Sequence, residues 1–484
     1  MEEIVSDIRR QFEPDWTRRQ LWNRSYAEAR MPNVPTMLLE LLSHQNFADM
    51  RYGLDPSFRF TVSRAIYKGM LRYLAGQYGR PYTVQPLPVK DFSIAFTGDT
   101  QVTLKWEPTP DPAEPTAMPD RYLVYTRVND GGFDNGRLAS DSSFVTPLQK
   151  DSVYSFKVVA VNEGGLSFPS EILSVCRKSD QKGVAMIVNG FTRVSAPFSF
   201  TASNDSLAGF AGSVDNGVPY IADHHFIGQM HEFRRVIPWM DDDSGGFGDS
   251  DANYETTTIA GNTFDYPFLH GEAMAAAGYS FVSSSVSAVE SGMVPLDSYR
   301  VVDWILGKQR EWVIARGATP PKFKTFSAAA RDRISTYCQN GGNLIVSGAF
   351  VGTDLWDNPR ATPEERDWAQ QVLKYKWRNN YGAVEGNIRA VASPFPSVAG
   401  NYSYYHTLNS ESYVVEHPDA IEPADENAFT IFRYSENNLS AGILYKGEKY
   451  GTAVLGFPIE SVRGTEDRNR LVGGLLDALM RNSL

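Results

Sequence analysis

The sequence predicts a protein of three parts: a short α/β segment (residues 1–80), a small all-β sandwich and a larger α/β domain. The chain has 484 residues, more than the roughly 250–300 that one hydrophobic core supports, so several domains are expected. Short alternating apolar runs fill residues 86–178, a pattern typical of a sandwich. Strand-like and helix-like runs alternate over residues 184–484, which indicates a sheet covered by helices. Linkers are expected at 77–88 and 177–183.

The first segment contains one strand-like run and one helix-like run. Residues 34–40, VPTMLLE, are mostly apolar and follow Pro32, which fits a buried parallel strand. Between residues 58 and 75 the apolar positions recur at helical spacing and predict one buried face. A single strand is too little for a complete α/β domain, so this segment is expected to be part of a larger one.

The second segment contains the runs FSIAF, QVTLKW, RYLVYTRV and YSFKVVAV, separated by breaks rich in Pro, Gly and Asp. Trp106 ends an early strand, Tyr122 opens YLVYTR, and Tyr154 lies in YSFKVVAVNEGGLSFPS. These residues resemble a fibronectin type III domain, with Tyr154 at the tyrosine-corner position. The resemblance implies a spacer or binding module rather than a catalytic domain.

In the third segment we expect three strands, VAMIVNGF, YRVVDWILG and NLIVSGAF. A helix, FSAAARDRISTYCQNGG, is expected between the second and the third of them. A hairpin with its turn near Lys446–Gly447 and a final helix, RNRLVGGLLDALM, follow. The alternation favours a parallel sheet with an antiparallel edge. The order of a strand ending in Gly, a helix, Gly-Gly and a strand resembles Rossmann-like domains of the glutamine-amidotransferase-like type, at the level of the fold only.

Composition narrows the classes of function. The net charge is -11 and there is no Lys/Arg cluster, so nucleic acid is not an expected partner. No apolar run reaches about 18 residues, so no transmembrane helix is predicted. Cys176 and Cys338 are too few and too far apart for a disulfide framework or a structural zinc motif. The first residues lack the apolar core of a signal peptide, so either the protein is cytosolic or the chain starts downstream of its natural beginning.

Glu40 is the first candidate catalytic residue. It is a single carboxylate at the end of an apolar run, where burial is costly unless the charge is paired or has a task. The alternatives for Glu40 are an ion pair with a nearby arginine, such as Arg51, or a solvated position at the end of the strand.

The sequence around Glu40 resembles the C-terminal part of the bacterial zinc-dependent N-acetylmuramoyl-L-alanine amidases. In that family a P-x-h-L-h-E strand (h, apolar) carries the catalytic glutamate, and a loop with Asn and an acidic residue follows. A helix ending in G-h-x-x-Y-h comes next. The matching residues are Pro35, Leu38, Glu40, Asn46, Asp49, Gly69, Tyr73 and Leu74. One departure is LLSHQN, where the family more often has Gly, an aromatic residue and Ser-Asn.

The resemblance implies a peptidoglycan amidase in which Glu40 is the general base beside a zinc-activated water. The family binds zinc through His, Glu and His upstream of this strand, and no histidine precedes residue 32 here. The chain is therefore expected to be a truncated part of a secreted amidase, periplasmic or at the cell surface, without tightly bound zinc. The alternative is a degenerate remnant that serves as scaffold.

Two other segments of the sequence are candidate metal sites. DHHFIGQMHEF contains His224, His225 and His231 without an HExxH motif, and partly buried histidines are the simpler interpretation. His44 follows Glu40 by four residues, but a strand and loop do not present such residues together. Residues 239–255 resemble the start of a calcium loop, although Tyr254 replaces the EF-hand glycine. The oxygen donors there are Asp249, Asp251, Asn253 and Glu255. A solvated or helix-capping loop is the alternative.

The third segment offers two further candidates. Ser347 follows a strand where amidotransferase-like folds place a nucleophile, but the G-x-S-x-G elbow is missing, and His406 and His417 are partners only by elimination. Cys338 lies inside the predicted helix and is interpreted as a buried small hydrophobe. A polar and aromatic loop holds Asn262, Asp265, Tyr266, His270 and Glu272. Such residues line carbohydrate sites and ordinary packed loops alike, so both interpretations stay open.

Three hypotheses for the function follow. The first is a peptidoglycan amidase with Glu40 as its general base. The second is a non-catalytic scaffold whose later domains hold a glycan or another envelope partner. The third is a hydrolase or polysaccharide-degrading enzyme with its site in the C-terminal domain. Relatives with this series of domains sometimes carry the label xanthan lyase, although these residues give no support for lyase chemistry.

Overall fold

The first 80 residues form a helical unit. The structure is a computed structural model that describes residues 1–43, 46–201, 208–225 and 257–480. The helices of this unit are α1 (Glu2–Gln11), α2 (Ala27–Arg30), α3 (Phe47–Gly53) and α4 (Pro56–Tyr78). Within the described residues, no helix is long and apolar enough to cross a membrane.

Local sequence signals fix both ends of α4. The carboxylate of Asp55 accepts hydrogen bonds from the backbone N–H groups of Ser57 and Phe58, which is an N-cap. Pro56 occupies the first turn, where its missing N–H costs nothing. Gly79 ends the helix with φ at +59°, a conformation that glycine adopts without strain.

The strand predicted at residues 34–40 is not formed, and this prediction was wrong. These residues have no regular secondary structure, and Val34, Met37 and Leu38 are 68%, 51% and 45% exposed. A strand needs a hydrogen-bonded neighbour, and every described strand lies after residue 80. The described part of the first segment is therefore helical rather than α/β.

Residues 90–176 form a sandwich of two antiparallel sheets. Its strands are β1 (Lys90–Phe96), β2 (Gln101–Glu107), β3 (Arg121–Val128), β4 (Arg137–Ala139), β5 (Ser143–Pro147), β6 (Val153–Asn162), β7 (Gly165–Leu166) and β8 (Leu173–Cys176). One sheet pairs β1, β2 and β5, and the other pairs β4, β3, β6 and β8. Trp106 is buried with its ring 5.2 Å from that of Tyr122. The hydroxyl of Tyr154 accepts from the N–H of Gln149 at 3.1 Å, the geometry of a tyrosine corner.

The remaining residues form an α/β domain. Its first strands are β9 (Val184–Asn189), β10 (Ser199–Thr201), β11 (Ala208–Phe210), β12 (Ala222–His225), β13 (Thr257–Ala260), β14 (Ser280–Ser285), β15 (Val301–Gly307) and β16 (Asn343–Gly348). The later strands are β17 (Tyr375–Asn379), β18 (Asn387–Ala390), β19 (Asn401–Ser403), β20 (Ala420–Pro423), β21 (Ala428–Tyr434), β22 (Ser440–Lys446) and β23 (Gly451–Leu455). Its helices are α5 (Tyr266–Ala276), α6 (Val286–Glu290), α7 (Ala328–Gln339), α8 (Thr353–Trp356), α9 (Pro363–Trp368) and α10 (Thr465–Met480).

The central sheet of this domain has five parallel strands in the order β14–β9–β15–β16–β23. Numbered by their order in the chain, they run 2-1-3-4-5. An antiparallel edge of β22, β21, β18 and β19 extends the sheet beyond β23. The predicted parallel strands, the antiparallel edge and the hairpin of β22 and β23 are all present.

Helices cover both faces of the parallel sheet, because its strands are apolar on both sides. One face packs on α5 and α10 and includes Ile187 and Ile345. The opposite face packs on α7 and includes Val188 and Val346. The carboxyl ends of the strands are left as the edge at which sheets of this kind bind ligands.

The sandwich is fixed to the edge of this sheet through β14, which pairs with both β8 and β1. Across the contact, the hydroxyl of Ser283 donates to the carbonyl of Ser174 at 2.7 Å and accepts from its N–H at 2.8 Å. Arg127 of the sandwich donates two hydrogen bonds, of 2.6 and 2.7 Å, to the two carboxylate oxygens of Asp265. Such bidentate pairs are geometrically specific, so the two domains are joined at a defined orientation.

The helical unit packs on both of the other domains. Phe58 and Tyr52 share a hydrophobic cluster with Trp312 of the α/β domain. Lys68 is 2% exposed and reaches Asp7 at 2.7 Å and Glu114 of the sandwich at 3.2 Å. A buried ammonium needs such partners, so this ionic contact fixes where the helical unit sits.

Candidate functional site

Glu40 lies on the surface of the helical unit. Its side chain is exposed, and it belongs to the irregular segment that was predicted as a strand. Among the described residues no ion pair joins Glu40 to Arg51; the guanidinium of Arg51 lies over the ring of Phe47 instead, 5.7 Å from its centre. The carboxylate is therefore solvated in this chain, which matches one of the two alternatives to a catalytic role.

The residues after Glu40 that carry the resemblance have clear structural roles. Asn46 caps α3 by accepting from the N–H groups of Ala48 and Asp49. The carboxylate of Asp49 accepts in turn from the N–H of Ser43 at 2.9 Å. These bonds tie the segment that bears Glu40 to the start of α3, so the backbone near Glu40 is held close to a helix N-terminus.

The described residues do not form a zinc site beside Glu40. Across the described ranges, no group of three or more His, Cys, Asp or Glu side chains is placed to hold a metal ion. His44 and His231 lie outside the described residues, as do residues 239–255 with the predicted calcium loop. His224 and His225 lie in β12.

Ser347 and Cys338 lie deep in the α/β domain. Ser347 is inside β16 and fully buried, and within the described structure its hydroxyl has no hydrogen-bond partner. Burial raises the pKa of the Cys338 thiol to about 12, so this side chain is not a thiolate nucleophile. His406 contacts the carbonyl of Tyr404, and His417 stacks on Tyr381 with ring centres 3.9 Å apart. The geometry gives neither histidine a hydrogen bond to Ser347.

The carboxyl edge of the parallel sheet is the strongest candidate for a binding site on topological grounds. The strand order reverses between β9 and β15, and ligands of such sheets bind in the crevice at that reversal. Here the side-chain oxygen of Gln309 accepts from the N–H groups of both Thr192 and Arg193. Arg193 also donates to the carbonyl of Lys308 at 3.0 Å. The loops after the two strands are thus bonded to each other across the crevice.

Four buried charged residues at this edge form what we call the ionic cluster: Arg193, Asp215, Lys308 and Glu416. Asp215 accepts from Arg193 at 2.8 Å and lies 3.1 Å from the ammonium of Lys308. Lys308 reaches the two oxygens of Glu416 at 2.7 and 3.0 Å. The guanidinium of Arg193 also lies 4.3 Å from the ring centre of Trp312, a residue of the α/β domain that shares a hydrophobic cluster with Phe58 of the helical unit.

The electrostatics of the ionic cluster indicate a closed structural network. Burial alone would raise the pKa of Asp215, but Arg193, Lys308 and Arg310 lower it well below its usual range. Asp215 therefore stays ionised between two cations and is poorly suited to proton transfer. Gly217 donates to its second oxygen at 3.0 Å, so both carboxylate oxygens are engaged.

A second network, the histidine cluster, is made of His270, Asp303, Tyr413 and Glu460. His270 extends from α5, with Nδ1 2.7 Å from Asp303 and Nε2 3.1 Å from Glu460. Tyr413 donates to Glu460 at 2.7 Å. Burial lowers the pKa of His270, but Asp303 and Glu460 more than offset this and raise it to about 9. The imidazolium has both nitrogens engaged, so it is not a general base at neutral pH.

The predicted loop with Asn262 and His270 is thus a packed loop rather than an open site. Asn262 is buried and donates to the carbonyls of Phe191 and Arg193. Tyr266 is buried and donates to the carbonyl of Gly261, and Asp265 binds Arg127 of the sandwich. These groups hold the chain together around the carboxyl end of β9.

Reasoning from the sequence missed the ionic cluster. A usable signal was present, because the charged residues of NGFTR and LGKQR follow directly after two predicted strands. Polar residues at the carboxyl ends of parallel strands meet at one edge. The partners Asp215 and Glu416 follow no such rule, since they come from loops far away in the sequence.

A cavity of about 20 Å³ lies near this edge, lined by residues that include Arg51, Pro197, Phe210 and Trp312. This volume accommodates about one water molecule, so the cavity is too small for a substrate.

Comparison with known proteins identifies the sandwich. The family model described as fibronectin type III domain matches residues 87–175, so this part of the chain is a fibronectin type III domain. No curated protein gives a significant sequence match to the chain.

Solved structures are similar to about one-fifth of the chain. The twitchin kinase region from C. elegans is 22% identical with a TM-score of 0.18, covering 20% of this chain and 17% of that one. Domains d3–d4 of the rat CD45 extracellular region are 20% identical with a TM-score of 0.17, covering 19% and 49%. The third fibronectin III domain of human KIAA0343 is 16% identical with a TM-score of 0.18, covering 20% and 86%. This chain therefore spans less than half of the first two proteins.

Proposed function

We propose that residues 1–80 are the C-terminal part of the catalytic domain of a secreted peptidoglycan amidase. The complete enzyme hydrolyses the amide between N-acetylmuramic acid and L-alanine, and Glu40 contributes its general base. The fibronectin type III domain and the α/β domain act as the scaffold that holds this part. Peptidoglycan as substrate puts the protein in the periplasm or at the cell surface.

One observation carries the proposal: the helical unit exposes an apolar surface out of proportion to its size. Eleven of the 23 large hydrophobic side chains exposed among the described residues lie in it, although it has 78 of the 441 described residues. These eleven, which we call the open apolar surface, are Leu21, Trp22, Tyr26, Met31, Val34, Met37, Leu38, Met70, Tyr73, Leu74 and Tyr78. So many exposed apolar side chains in one small unit support a surface that further polypeptide covers.

The open apolar surface coincides with the residues that carry the resemblance. Leu38, Tyr73 and Leu74 match the apolar positions of the amidase pattern, which are interior positions of a domain, and all three are exposed here. On α4, Met70 and Leu74 are four residues apart and Tyr78 continues the same face. An apolar segment without regular secondary structure and an exposed apolar helix face in the same unit fit a domain of which only one part is described.

A carboxylate such as that of Glu40 suits the role of general base that the resemblance implies. The described residues contain no set of zinc ligands beside it. In the enzyme that the resemblance implies, a carboxylate at this position accepts a proton from the attacking water. The described residues lack a set of ligands that fits zinc, so no catalytic step through the metal is derived for this chain. The metal-binding residues of the proposed enzyme belong to polypeptide beyond these residues.

We infer that the α/β domain is Rossmann-like, with the glutamine-amidotransferase-like order of elements, and that it serves as scaffold. Its strand order of 2-1-3-4-5 supports the first point. The bonded loops at the carboxyl edge and the closed ionic cluster support the second. No geometry among the described residues favours a hydrolytic or polysaccharide-degrading site in this domain.

The proposal is tested by reading the coding DNA upstream of Met1 in frame and expressing the polypeptide that it encodes. We expect an open frame with a His/Glu/His set, stoichiometric zinc by mass spectrometry, and release of L-alanyl peptides from muropeptides. Glu40→Gln should lower kcat by about 10²–10⁴-fold with zinc content unchanged, because the proton acceptor is lost while the metal remains. The matched control is Glu28→Gln, an exposed carboxylate of the same unit.

Two results would overturn the proposal. One is a stop codon and a ribosome-binding site directly before Met1. The other is full activity of the Glu40→Gln variant in the longer polypeptide. The 484-residue chain alone should release no peptide and retain no zinc after dialysis.

A further inference from the structure

Residues 168–172 of the fibronectin type III domain lie where all three units meet. Phe168 packs on Phe60 of α4 with ring centres 5.3 Å apart, and on Tyr220 of the α/β domain at 5.9 Å. The N–H of Ile172 donates to the carbonyl of Phe264 at 2.9 Å. We call this segment the junction loop.

Glu171 is the charged residue of the junction loop, and it faces the carboxyl end of β9. Its Oε2 accepts from the side-chain N–H of Asn189, the last residue of that strand, at 2.5 Å. Asn189 is fully buried, so the bond lies at the contact between the two domains. Among the described residues Glu171 has no ion pair, unlike Asp265, Asp215 and Glu416.

The charged groups on the elements around Glu171 do not neutralise it. On β1, Asp91 adds a like charge, and the ammonium of Lys90 already binds Asp91 at 3.0 Å. On the loop before α5, Asp265 is engaged by Arg127. β9 offers only the neutral amide of Asn189. Glu171 is partly buried, so a carboxylate in this position is shielded from part of the surrounding water without a compensating cation, which is costly.

We propose that Glu171 is a pH-sensitive latch between the fibronectin type III domain and the α/β domain. In its neutral form Glu171 closes the contact at the end of β9, and in its charged form it loosens that contact. Opening would uncover Asn189 and the crevice at the reversal of the strand order. The junction loop would transmit the same change to α4 through Phe168 and Phe60.

The direction and size of the pH dependence of the closed contact follow from the difference in the pKa of Glu171 between the closed and the opened state. Burial raises the pKa of Glu171 from 4.5 to about 7; the Asn189 hydrogen bond opposes this, and Asp91 adds to it. The closed contact is favoured most below about pH 4.5 and loses this advantage as the pH rises to about 7. If the opened state has the ordinary value, the opening equilibrium rises by up to about 300-fold over that range.

The test is hydrogen exchange by mass spectrometry on the whole chain between pH 5 and 8.5, corrected for the intrinsic pH dependence of exchange. Peptides covering residues 167–173 and 184–192 should lose protection in the wild type as the pH rises. Glu171→Gln keeps the acceptor for Asn189 but cannot ionise, so its protection should stay high at pH 8.5. The matched control, Glu163→Gln, changes an exposed carboxylate of the same domain and should behave as the wild type.

A second variant sharpens the test. Asp91→Asn removes the like charge and so brings the pKa of Glu171 in the closed state nearer to its ordinary value. The total loss of protection between pH 5 and 8.5 should therefore be smaller than in the wild type. Protection that is independent of pH in the wild type would overturn the proposal, as would equal pH profiles for the wild type and Glu171→Gln. If Glu171→Gln fails to fold, the comparison of the wild type with Asp91→Asn decides the matter.

Discussion

The α/β domain pairs its buried charges, whereas the helical unit leaves many apolar side chains exposed to solvent. In the α/β domain, charges that burial would penalise are matched inside the same domain, as Arg193 and Lys308 are by Asp215 and Glu416. In the helical unit, apolar groups such as Trp22 and Tyr78 face solvent, although other contacts hold the unit firmly against its neighbours. The first region is complete in itself, and the second has a surface that nothing described covers. Substitutions in the two regions should therefore differ greatly in effect.

The largest loss of stability is expected from a substitution in the ionic cluster. Asp215→Asn leaves Arg193 and Lys308 buried with one anionic partner, Glu416. Removing one member of a buried ionic network typically costs about 3–5 kcal/mol. Urea unfolding followed by tryptophan fluorescence should show this loss.

The control for Asp215→Asn is Glu422→Gln, which breaks the exposed pair with Arg378. Exposed pairs contribute about 0–1 kcal/mol, so this variant should unfold close to the wild type. Equal midpoints for the two variants would show that the cluster is not the self-contained network described above.

The next effect is the pH dependence that His270 confers. Its pKa is raised from 6.5 to about 9, so the stability it contributes is fully present below pH 6.5 and is lost as the pH rises through 9. The free energy of unfolding of the wild type should fall by up to about 3 kcal/mol between pH 7 and 10 from this group. His270→Gln should lack this part of the slope, and parallel profiles for the two proteins would contradict the assignment.

A smaller effect is expected at the start of α4, which carries part of the open apolar surface. Asp55→Ala removes the acceptor for two backbone N–H groups and should cost about 1 kcal/mol. Asp55→Asn keeps an acceptor and serves as the control. Hydrogen exchange over residues 56–62 should rise in the alanine variant alone, and an equal rise in both would indicate that the charge rather than the cap matters.

Much of the fold could be predicted because its signals are local. The strands β9, β15 and β16 are apolar runs ending in polar turns, and α7, which lies between β15 and β16, has helical periodicity. The sandwich was predicted from alternating runs and from the position of Tyr154. In each case the residues within about ten positions contain the information.

The features that escaped prediction depend on distant parts of the chain. Lys308 and Glu416 are 108 residues apart, and only the completed fold brings them together. The segment at residues 34–40 has a local pattern typical of a strand, but a strand forms only beside a partner strand. Glu40 could be named from its sequence, whereas its solvated state follows from a segment that forms no strand in the described structure.

The smallest change in the free energy of unfolding is expected for substitutions on the open apolar surface itself. Its size tells whether this surface is covered by further polypeptide or is simply solvated. Leu74 is 49% exposed, so Leu74→Ala should change the stability of the 484-residue chain by less than about 0.5 kcal/mol. In the longer polypeptide proposed above, Leu74 would be buried, and the same substitution should cost about 2–5 kcal/mol. The control is Phe58→Ala, which removes a side chain that is 1% exposed and should cost about 3–5 kcal/mol in both polypeptides. An equally small effect of Leu74→Ala in both would mean that this surface is simply solvated, because nothing then packs on α4.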